Sequence, residues 1–408
     1  MSIDFHTLSQ KYGTPLYIYD FDKMAENYRA FKEAFSGQKS LISYAVKANS
    51  NLSVIQHFGT LGAGADCVSI GEVRRALTAG IERYKIIFSG VGKQDHEIEE
   101  ALNEEILMLN LESEAEMKRV ELVARALGKP ARISIRINPN VDPKTHPYIS
   151  TGLHENKFGV EISMAKRMYI YAKNSEFLEP VGIHFHIGSQ LTDLAPIAEA
   201  AQIVADLVRS LKAIGVEIKF FDAGGGVGIR YAEETLIDPL AYAEAIAEAT
   251  KGLDLTLMCE LGRALTGDAG YLLSSVLYEK QNGDKRFVIV DAAMNDLLRP
   301  TLYGAHHRIT FLGQVGQETS QERNKADIVG PICESGDWLA KEVALPQTRH
   351  NDLIVIEDAG AYGFTMSSNY NTRGRAAEVV VSQNSERVIR QRESFEDQIR
   401  LEKAYLHA

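Results

Sequence analysis

Leu41-Ile42-Ser43-Tyr44-Ala45-Val46-Lys47-Ala48 is an apolar run, rich in β-branched and aromatic residues, that ends beside a lysine. Short runs of this kind, bounded by turn residues, predict buried β-strands. Further runs of the same character recur along the chain up to residue 261. They lie at 64–69, 85–89, 106–111, 132–138, 181–187, 218–223 and 256–261.

Segments with helical spacing separate these runs, for example 71–80, 113–127 and 193–214. Ser113-Glu114-Ala115-Glu116 has the sequence of a capping box, and Ser163 offers a similar helix start. Eight strand candidates that alternate with helices predict a (β/α)8 barrel, which we place at residues 31–268. A doubly wound open sheet is the alternative. It is disfavoured because no dinucleotide-binding glycine motif follows the first strand.

The pattern changes after about residue 269, where short apolar runs follow one another and helical spacing becomes scarce. Turn residues between short strands predict an all-β domain over residues 269–408. A similar run at 16–19 precedes the barrel, and we expect the segment 1–30 to join this domain, because chain ends often lie close together. The β-domain strand candidates are 271–278, 286–291, 326–329, 352–356 and 378–382.

The composition limits the possible classes of function. A chain of 408 residues with net charge -11 exceeds one ordinary core and has no general attraction for nucleic acid or anionic membranes. The start of the sequence has no secretory signal pattern, and no apolar stretch is long enough to span a bilayer. Cys67, Cys259 and Cys333 are too few and too scattered for a disulfide framework or a zinc ribbon, so we expect a cytoplasmic protein.

Active sites of such barrels lie at the carboxyl ends of the strands. A lysine that enters the barrel mouth between Val46 and Ala48 can have a lowered pKa, and an amine of this kind forms an imine with an aldehyde. The ordinary alternative is a surface lysine at a strand end. The other chemically active residues at strand ends are Asp66, Arg136, His184, His186, Glu260 and Arg263.

His184 and His186 lie two residues apart and therefore face the same side of a strand. One interpretation is a metal pair of the kind found in barrel hydrolases. The position of the pair on the sixth strand disfavours it, and we expect no metal. His184 is at least as well explained as a core residue, whereas His186 precedes the turn at 187–189 and could stack on an aromatic cofactor.

Gly224-Gly225-Gly226 follows the seventh strand candidate. Successive glycines let backbone N–H groups approach an anion, and phosphate sites at this place are common in barrels. A flexible turn is the alternative. Glu260 and Arg263 end the eighth strand; the carboxylate could pair with a protonated ring nitrogen, and the arginine with a phosphate or carboxylate.

Together these motifs resemble the fold-type III pyridoxal-phosphate decarboxylases. The resemblance rests on Tyr44–Asn49, on His184-Phe185-His186-Ile187-Gly188-Ser189-Gln190, on the three glycines and on Glu260-Leu261-Gly262-Arg263, and it covers nearly the whole chain. It implies pyridoxal 5'-phosphate as the cofactor and a barrel followed by a β domain. Leu261 departs from the family's usual proline, but it leaves both flanking charged residues in place.

The resemblance also implies roles for individual residues. Lys47 is the Schiff-base lysine, His186 stacks on the ring, and Glu260 pairs with the pyridine nitrogen. Cys333 is a candidate proton donor, and Cys333 with Glu334 is implied to be donated across a homodimer interface. The remaining implied cofactor contacts are Asp66, Ser189, Gly224, Gly225, Gly226 and Tyr362, and the implied substrate ligands are Arg263, Arg299, Tyr303, Glu334, Tyr362 and Tyr370.

Four motifs resemble those of one member of this family, whose substrate carries charges at both ends: His146–Gly152, Asn156–Gly159, Arg299–Tyr303 and Cys333–Asp337, of which the last two are the more specific. Arg299 would bind a distal carboxylate and Glu334 a distal ammonium group. Sister enzymes that act on lysine, ornithine, arginine or carboxynorspermidine are the nearest alternatives. A catalytically silent relative is a second, but it should have lost Lys47 or Cys333.

Overall fold

A computed structural model of the chain describes residues 3–142, 157–317, 320–383 and 385–406. It divides into two compact units. The first, here called the β unit, comprises Met1–Met24, Arg230–Glu233 and Thr266–Ala408, and the second, the barrel unit, comprises Ala25–Ile229 and Glu234–Leu265. The motif predicted at 146–152 lies outside the described residues.

The β unit begins with helix α1 (Phe5–Tyr12) and strand β1 (Leu16–Asp20). The next eight strands are parallel and close into a barrel in sequence order, which confirms the predicted (β/α)8 fold. They are β2 (Ser40–Ala45), β3 (Gly64–Cys67), β4 (Ile86–Phe88), β5 (Met108–Leu111), β6 (Ala131–Ile137), β7 (Leu178–Phe185), β8 (Phe220–Asp222) and β9 (Thr256–Leu261).

The helices of this part of the chain alternate with the strands and are amphipathic. They are α2 (Phe21–Ala34), α3 (Leu52–Thr60), α4 (Ile70–Thr78), α5 (Asp95–Asn103), α6 (Glu114–Leu127), α7 (Ile162–Lys173), α8 (Ala195–Ala213), α9 (Pro239–Ala249) and α10 (Arg263–Thr266). None of the described helices is both long and apolar enough to cross a membrane.

Two helix starts test the predicted capping signals. Ser113 does cap α6, since its Oγ accepts a hydrogen bond from the N–H of Glu116 at 3.1 Å. The Glu116 carboxylate, however, accepts from the N–H of Glu112 at 2.6 Å, so only half of the capping box forms. The start predicted at Ser163 is wrong by two residues: α7 begins at Ile162, and its N-cap residue Glu161 makes no side-chain cap bond.

The interior of the barrel is apolar at one end and polar at the other. Ile87, Met108 and Met258 belong to a buried hydrophobic cluster. Toward the carboxyl ends of the strands, buried polar residues replace them, as the alternation of a strand between its two faces allows. These are Ser43, Asp66, Ser89, Asn110, Ser134, His184, Asp222 and Glu260. The buried polar groups therefore lie at the end of the barrel where active sites of this fold are found.

The β unit is completed by the C-terminal part of the chain. Its sheet runs in the order β14-β13-β11-β10-β1-β16-β17, with β15 paired to both β10 and β12. The elements are β10 (Gly270–Asn282), β11 (Lys285–Val290), α11 (Arg299–Tyr303), β12 (Ile309–Gly313), β13 (Asn324–Val329), β14 (Trp338–Leu345), β15 (Leu353–Ile356), β16 (Ala377–Ser382), β17 (Ser385–Arg390) and α12 (Phe395–Ile399).

Strand β1 lies in the middle of this sheet. It pairs antiparallel with β10 and parallel with β16. Leu16 and Ile18 pack in one buried cluster with Leu273, Val355 and Val379, which come from much later in the chain. The first strand of the sequence is therefore part of the core of the last domain.

Candidate active site

Lys47 lies in a single 3-10 turn, Val46–Ala48, directly after β2. The predicted strand thus ends at Ala45, two residues before the lysine. Val46 and Ala48 are buried, whereas the side chain of Lys47 remains 36% exposed. The turn therefore anchors its apolar neighbours in the barrel and leaves the amine accessible at the mouth.

Asp66, at the end of β3, holds this amine. Lys47 Nζ donates to Asp66 Oδ2 at 2.6 Å, and Asp66 is fully buried. Burial and the nearby Glu260 carboxylate raise the pKa of Asp66, while the Lys47 charge acts in the opposite sense. The sequence predicted both residues at strand ends but did not predict that they form an ion pair.

Glu260, near the end of β9, is a buried carboxylate that keeps its charge. Burial opposes ionisation, but the charge and hydrogen bond of His184, together with the charge of Lys47, outweigh burial and lower the pKa of Glu260. His184 Nε2 lies 3.3 Å from Glu260 Oε2. Ser89 and Asn110 donate to Glu260 Oε1 at 3.5 Å. A negative charge is thus maintained in the barrel mouth.

Asp222 is a site residue that sequence reasoning missed. It is fully buried at the end of β8, and its Oδ1 accepts from the N–H of Gly224 at 2.9 Å. Burial and the Glu260 carboxylate raise the pKa of Asp222 well above its usual range. One ligand atom each of His184, Asp222 and Glu260 lie within 4.8 Å of one another. The three side chains form one buried polar cluster, in which His184 and Glu260 are hydrogen-bonded.

His186 lies at the barrel mouth, one residue beyond β7, and is half-buried. Its Nδ1 accepts from the N–H of Gly225 at 3.1 Å. Burial and the cations Arg136 and Lys47 lower the pKa of His186 well below its usual value. The ring is therefore neutral and has a fixed orientation, as a stacking role requires.

The three glycines form a turn that only glycine can occupy. Gly224 has a φ of +64°, and a Cβ there would lie 2.3 Å from the carbonyl oxygen of Phe185; a Cβ at Gly225 would lie 1.9 Å from that of Glu260. The N–H of Leu191 donates to the carbonyl of Gly226 at 2.8 Å, so the loop after β7 runs beside this turn. The arrangement exposes backbone rather than side chains, which suits an anion.

Ser189 and Arg263 belong to this same region of the barrel unit. Arg263 Nη2 donates to Ser189 Oγ at 2.9 Å, and Arg263 is buried. A guanidinium, a hydroxyl and a glycine turn form the kind of donor set that binds a phosphate group. Arg263 thus lies beside Ser189, one of the predicted phosphate ligands.

A buried ion pair, Arg136 with Glu112, also lies at the barrel mouth. Arg136 Nη1 and Glu112 Oε1 are 2.9 Å apart. Arg136 Nη2 also donates to the carbonyl oxygen of His186 at 3.3 Å. Glu112 Oε2 accepts from the N–H of Gly159 at 2.7 Å. The sequence singled out Arg136 but not its partner, which is 24 residues earlier in the chain.

In the β unit, Cys333 and Glu334 lie together in the loop between β13 and β14, and both are exposed in the single chain. The N–H of Cys333 donates to Asn371 Oδ1 at 2.7 Å, and Tyr370 Oη donates to Glu334 Oε2 at 3.4 Å. The structure therefore brings together three of the predicted site residues, Cys333, Glu334 and Tyr370.

Asp337 fastens this loop to another. It is buried, and its two carboxylate oxygens accept from the N–H groups of Met294 at 2.7 Å and Ile332 at 2.8 Å. Met294 lies in the segment that leads into α11, which begins at Arg299. The Asp337 carboxylate thus joins the loop that contains Cys333 to the segment before α11, the helix that begins at Arg299.

Arg299 is buried, with its guanidinium 4.6 Å from the ring centre of Tyr231. Its Nη1 lies 2.8 Å from Nε2 of His307. Tyr303, four residues later in α11, is half-buried, as is Tyr362. Tyr362 has a positive φ of 56°, a conformation that non-glycine residues adopt rarely and that often marks functional loops.

The residues of the barrel mouth fit pyridoxal phosphate. An accessible lysine amine can bond to the aldehyde, an ionised carboxylate can keep the ring nitrogen protonated, a neutral imidazole can stack on the ring, and a glycine turn with Ser189 and Arg263 can hold the phosphate. This combination on a (β/α)8 barrel defines the class of fold-type III pyridoxal-dependent decarboxylases.

Comparisons with known proteins agree with this class. The sequence model of the family "Pyridoxal-dependent decarboxylase, pyridoxal binding domain" matches residues 21–267. The diaminopimelate decarboxylase of Campylobacter jejuni is 58% identical over 407 residues, covering 100% of both chains. The crystal structure of diaminopimelate decarboxylase from Helicobacter pylori complexed with L-lysine is 53% identical, covers 99% of this chain and 100% of that one, and has a TM-score of 0.95.

The chain therefore belongs to the pyridoxal-dependent decarboxylases and, within them, to the diaminopimelate decarboxylase family. Membership of a pyridoxal-dependent family confirms the predicted cofactor, and the fold of these relatives confirms the predicted barrel with a C-terminal β domain. The lysine decarboxylase of Selenomonas ruminantium, at 22% identity and a TM-score of 0.83, shares the fold.

Proposed function

We propose that the chain converts meso-2,6-diaminopimelate to L-lysine and carbon dioxide, the last step of lysine biosynthesis. The observation that carries the proposal is sequence identity over nearly the whole chain to enzymes named diaminopimelate decarboxylase. The identity is 58% to one relative and 53% to another that is complexed with L-lysine. The charged Glu260 beside Lys47 supports a decarboxylase, because a protonated ring nitrogen accepts the electron pair that the departing carboxylate leaves behind.

Pyridoxal phosphate supplies an aldehyde and an electron-accepting ring. Lys47 would hold the cofactor through its amine, which Asp66 keeps in position by a hydrogen bond. Glu260 holds a proton on the ring nitrogen. With the cofactor bound, its ring would accept the electron pair that the Cα–carboxylate bond leaves on Cα when carbon dioxide departs.

Residues of the β unit bind the charged groups at the far end of the substrate and supply the proton that Cα needs. Cys333 delivers a proton from its thiol to Cα after carbon dioxide has left. Arg299, with Tyr303, binds the distal carboxylate, Glu334 binds the distal ammonium group, and Tyr370 positions Glu334 through their hydrogen bond. A substrate with a positive and a negative group at its far end needs both kinds of ligand.

Release of carbon dioxide from different amino acids tests this function. With purified holoenzyme we expect turnover of meso-diaminopimelate and none, or traces, with lysine, ornithine or arginine, since these lack the distal carboxylate that Arg299 would bind. Carbon dioxide release from carboxynorspermidine is measured in the same assay. A preference for ornithine would overturn the substrate assignment and leave the fold and the cofactor unaffected.

We further propose a homodimer in which Cys333 and Glu334 act on substrate bound at the partner's Lys47. Both residues are exposed in the single chain, and an exposed thiol beside a carboxylate suits a position that a second copy covers. A cytoplasmic location agrees with three cysteines that are all free.

Mixing two inactive variants tests the shared site. Lys47→Ala and Glu334→Ala are each expected to be inactive alone. After joint unfolding and refolding, half of the dimers would combine one copy of each and carry one intact site, so activity should return to roughly a quarter of the native value. No recovery, with dimers present, would show that each subunit is self-contained.

A further inference from the structure

Arg299 has a buried histidine as a hydrogen-bond partner. His307, which is 1% exposed, offers Nε2 to Arg299 Nη1 at 2.8 Å. On the other side of the imidazole, Nδ1 lies 2.9 Å from the carbonyl oxygen of Glu357. The ring edge of His307 also contacts Tyr231, with ring centres 5.4 Å apart.

The two hydrogen bonds fit a single state of the imidazole. A guanidinium can only donate, so Nε2 of His307 must accept and carries no proton. A carbonyl oxygen can only accept, so Nδ1 must donate. His307 is therefore neutral, with its proton on Nδ1. The carboxylate of Glu357 faces Thr310 and Arg308 instead.

The choice of a neutral partner has an electrostatic consequence. A carboxylate at position 307 would orient the guanidinium equally well, but it would also neutralise the positive charge that an incoming anion needs. An imidazole fixes one edge of the guanidinium plane against Tyr231 and itself adds no negative charge. Substrate binding therefore gains orientation without losing attraction.

We propose that His307 is a positioning residue that presents Arg299 to the distal carboxylate of the substrate and so contributes to substrate specificity. The inference rests on the proposed function, in which Arg299 binds that carboxylate. His307 does not touch the reacting atoms, so its effect is expected on substrate binding rather than on the chemical step.

A matched pair of substitutions tests the role. Asparagine at 307 can mimic the Nδ1 donor toward Glu357 but offers Arg299 no acceptor, whereas glutamine places an acceptor oxygen near the position of Nε2. We expect His307→Asn to raise KM for meso-diaminopimelate by about tenfold, with kcat within about twofold, as loss of one hydrogen bond to a charged group implies. His307→Gln should restore most of the affinity.

Two inhibitors separate positioning from general damage. L-Lysine, when it binds through its ε-amine as the product does, presents a carboxylate at the far end, whereas cadaverine has none. His307→Asn should weaken inhibition by L-lysine about tenfold and leave inhibition by cadaverine unchanged. Cofactor content, visible absorbance and thermal unfolding of the holoenzymes serve as controls. If His307→Asn does not fold, His307→Ser carries the same expectation.

The outcomes distinguish this inference from the function on which it rests. If Arg299→Gln leaves the KM for meso-diaminopimelate unchanged, the proposed role of Arg299 is wrong. If Arg299→Gln raises it but His307→Asn and His307→Ser do not, only the role of His307 is overturned. Equal weakening of both inhibitors in the His307 variants would also overturn it, because a general structural defect does not discriminate between them.

Discussion

Lys47→Ala is expected to lose decarboxylase activity by on the order of 10³-fold or more, the range observed when an enzyme loses its nucleophile or general base. The structure offers the cofactor aldehyde an accessible amine at the end of β2, held by Asp66 at 2.6 Å. Borohydride reduction of the native holoenzyme, followed by peptide mapping, should place the pyridoxyl group on Lys47. An adduct on another lysine would contradict the assignment.

Lys47→Arg is the matched control for the charge of the lysine. It keeps a cation beside Asp66 but cannot bond to the aldehyde, so it should be as inactive as Lys47→Ala. Lys39→Ala removes an exposed lysine whose ion pair with Asp254 lies at the surface, and it should behave as the native protein.

Removal of the Lys47 charge also predicts a pH dependence of stability. Burial and Glu260 already raise the pKa of Asp66, and loss of the cation raises it further. Unfolded Asp66 releases its proton near pH 4, whereas Asp66 in the folded variant releases it at a higher pH. The free energy of unfolding of Lys47→Ala should therefore fall, relative to Lys47→Arg, as the pH rises above about 4. Denaturant titrations of the two apoproteins at several pH values measure the difference.

Glu260→Gln is expected to lower kcat by about 10²- to 10³-fold while the cofactor remains bound, in line with the removal of one preorganised electrostatic group. Glutamine is nearly isosteric, but it cannot hold a proton on the ring nitrogen. Each unit by which that nitrogen's pKa falls corresponds to about 1.4 kcal/mol. Reconstitution with cofactor labelled at the ring nitrogen, followed by NMR, should show a protonated nitrogen in the native enzyme and an unprotonated one in the variant.

The environment of Glu260 adds a second expectation. Because His184 and Lys47 lower the pKa of Glu260, the carboxylate stays ionised across the neutral range, and no step in a pH–rate profile between about pH 6 and 9 should depend on it. Glu260→Asp keeps the charge and should retain more activity than Glu260→Gln. An unchanged kcat in Glu260→Gln would remove the carboxylate from the mechanism.

The barrel strands were predictable because strands buried on both faces form continuous apolar runs. The run predicted at 256–261 coincides with β9, and the others lie within a few residues of the strands observed. Strands β12, β14 and β17 were missed. β14 contains a bulge, with Glu342 at a φ of 53°, that interrupts its alternation, and β17 is an edge strand of largely exposed, charged residues.

The chemistry at the barrel mouth was partly predictable for a topological reason. Parallel strands of a barrel end at the same face, so Lys47, His186 and Glu260 could be grouped from their positions alone. Asp222 was not predicted, although its spacing of two residues before Gly224 is that of an Asx turn. The pairing of His307 with Arg299 depends on tertiary packing, which leaves no periodic signal in one sequence.

The central position of β1 has a consequence for synthesis on the ribosome. This strand is finished at residue 20, but its partners begin at residues 270 and 377. At bacterial-to-eukaryotic elongation rates of about 5–20 residues per second, it waits roughly 10–50 s for the first of them. During that interval a five-residue apolar segment, Leu16–Asp20, has unpaired edges and is a ready target for chaperones. Synthesis of β16, rather than closure of the barrel, gives the first strand its second partner.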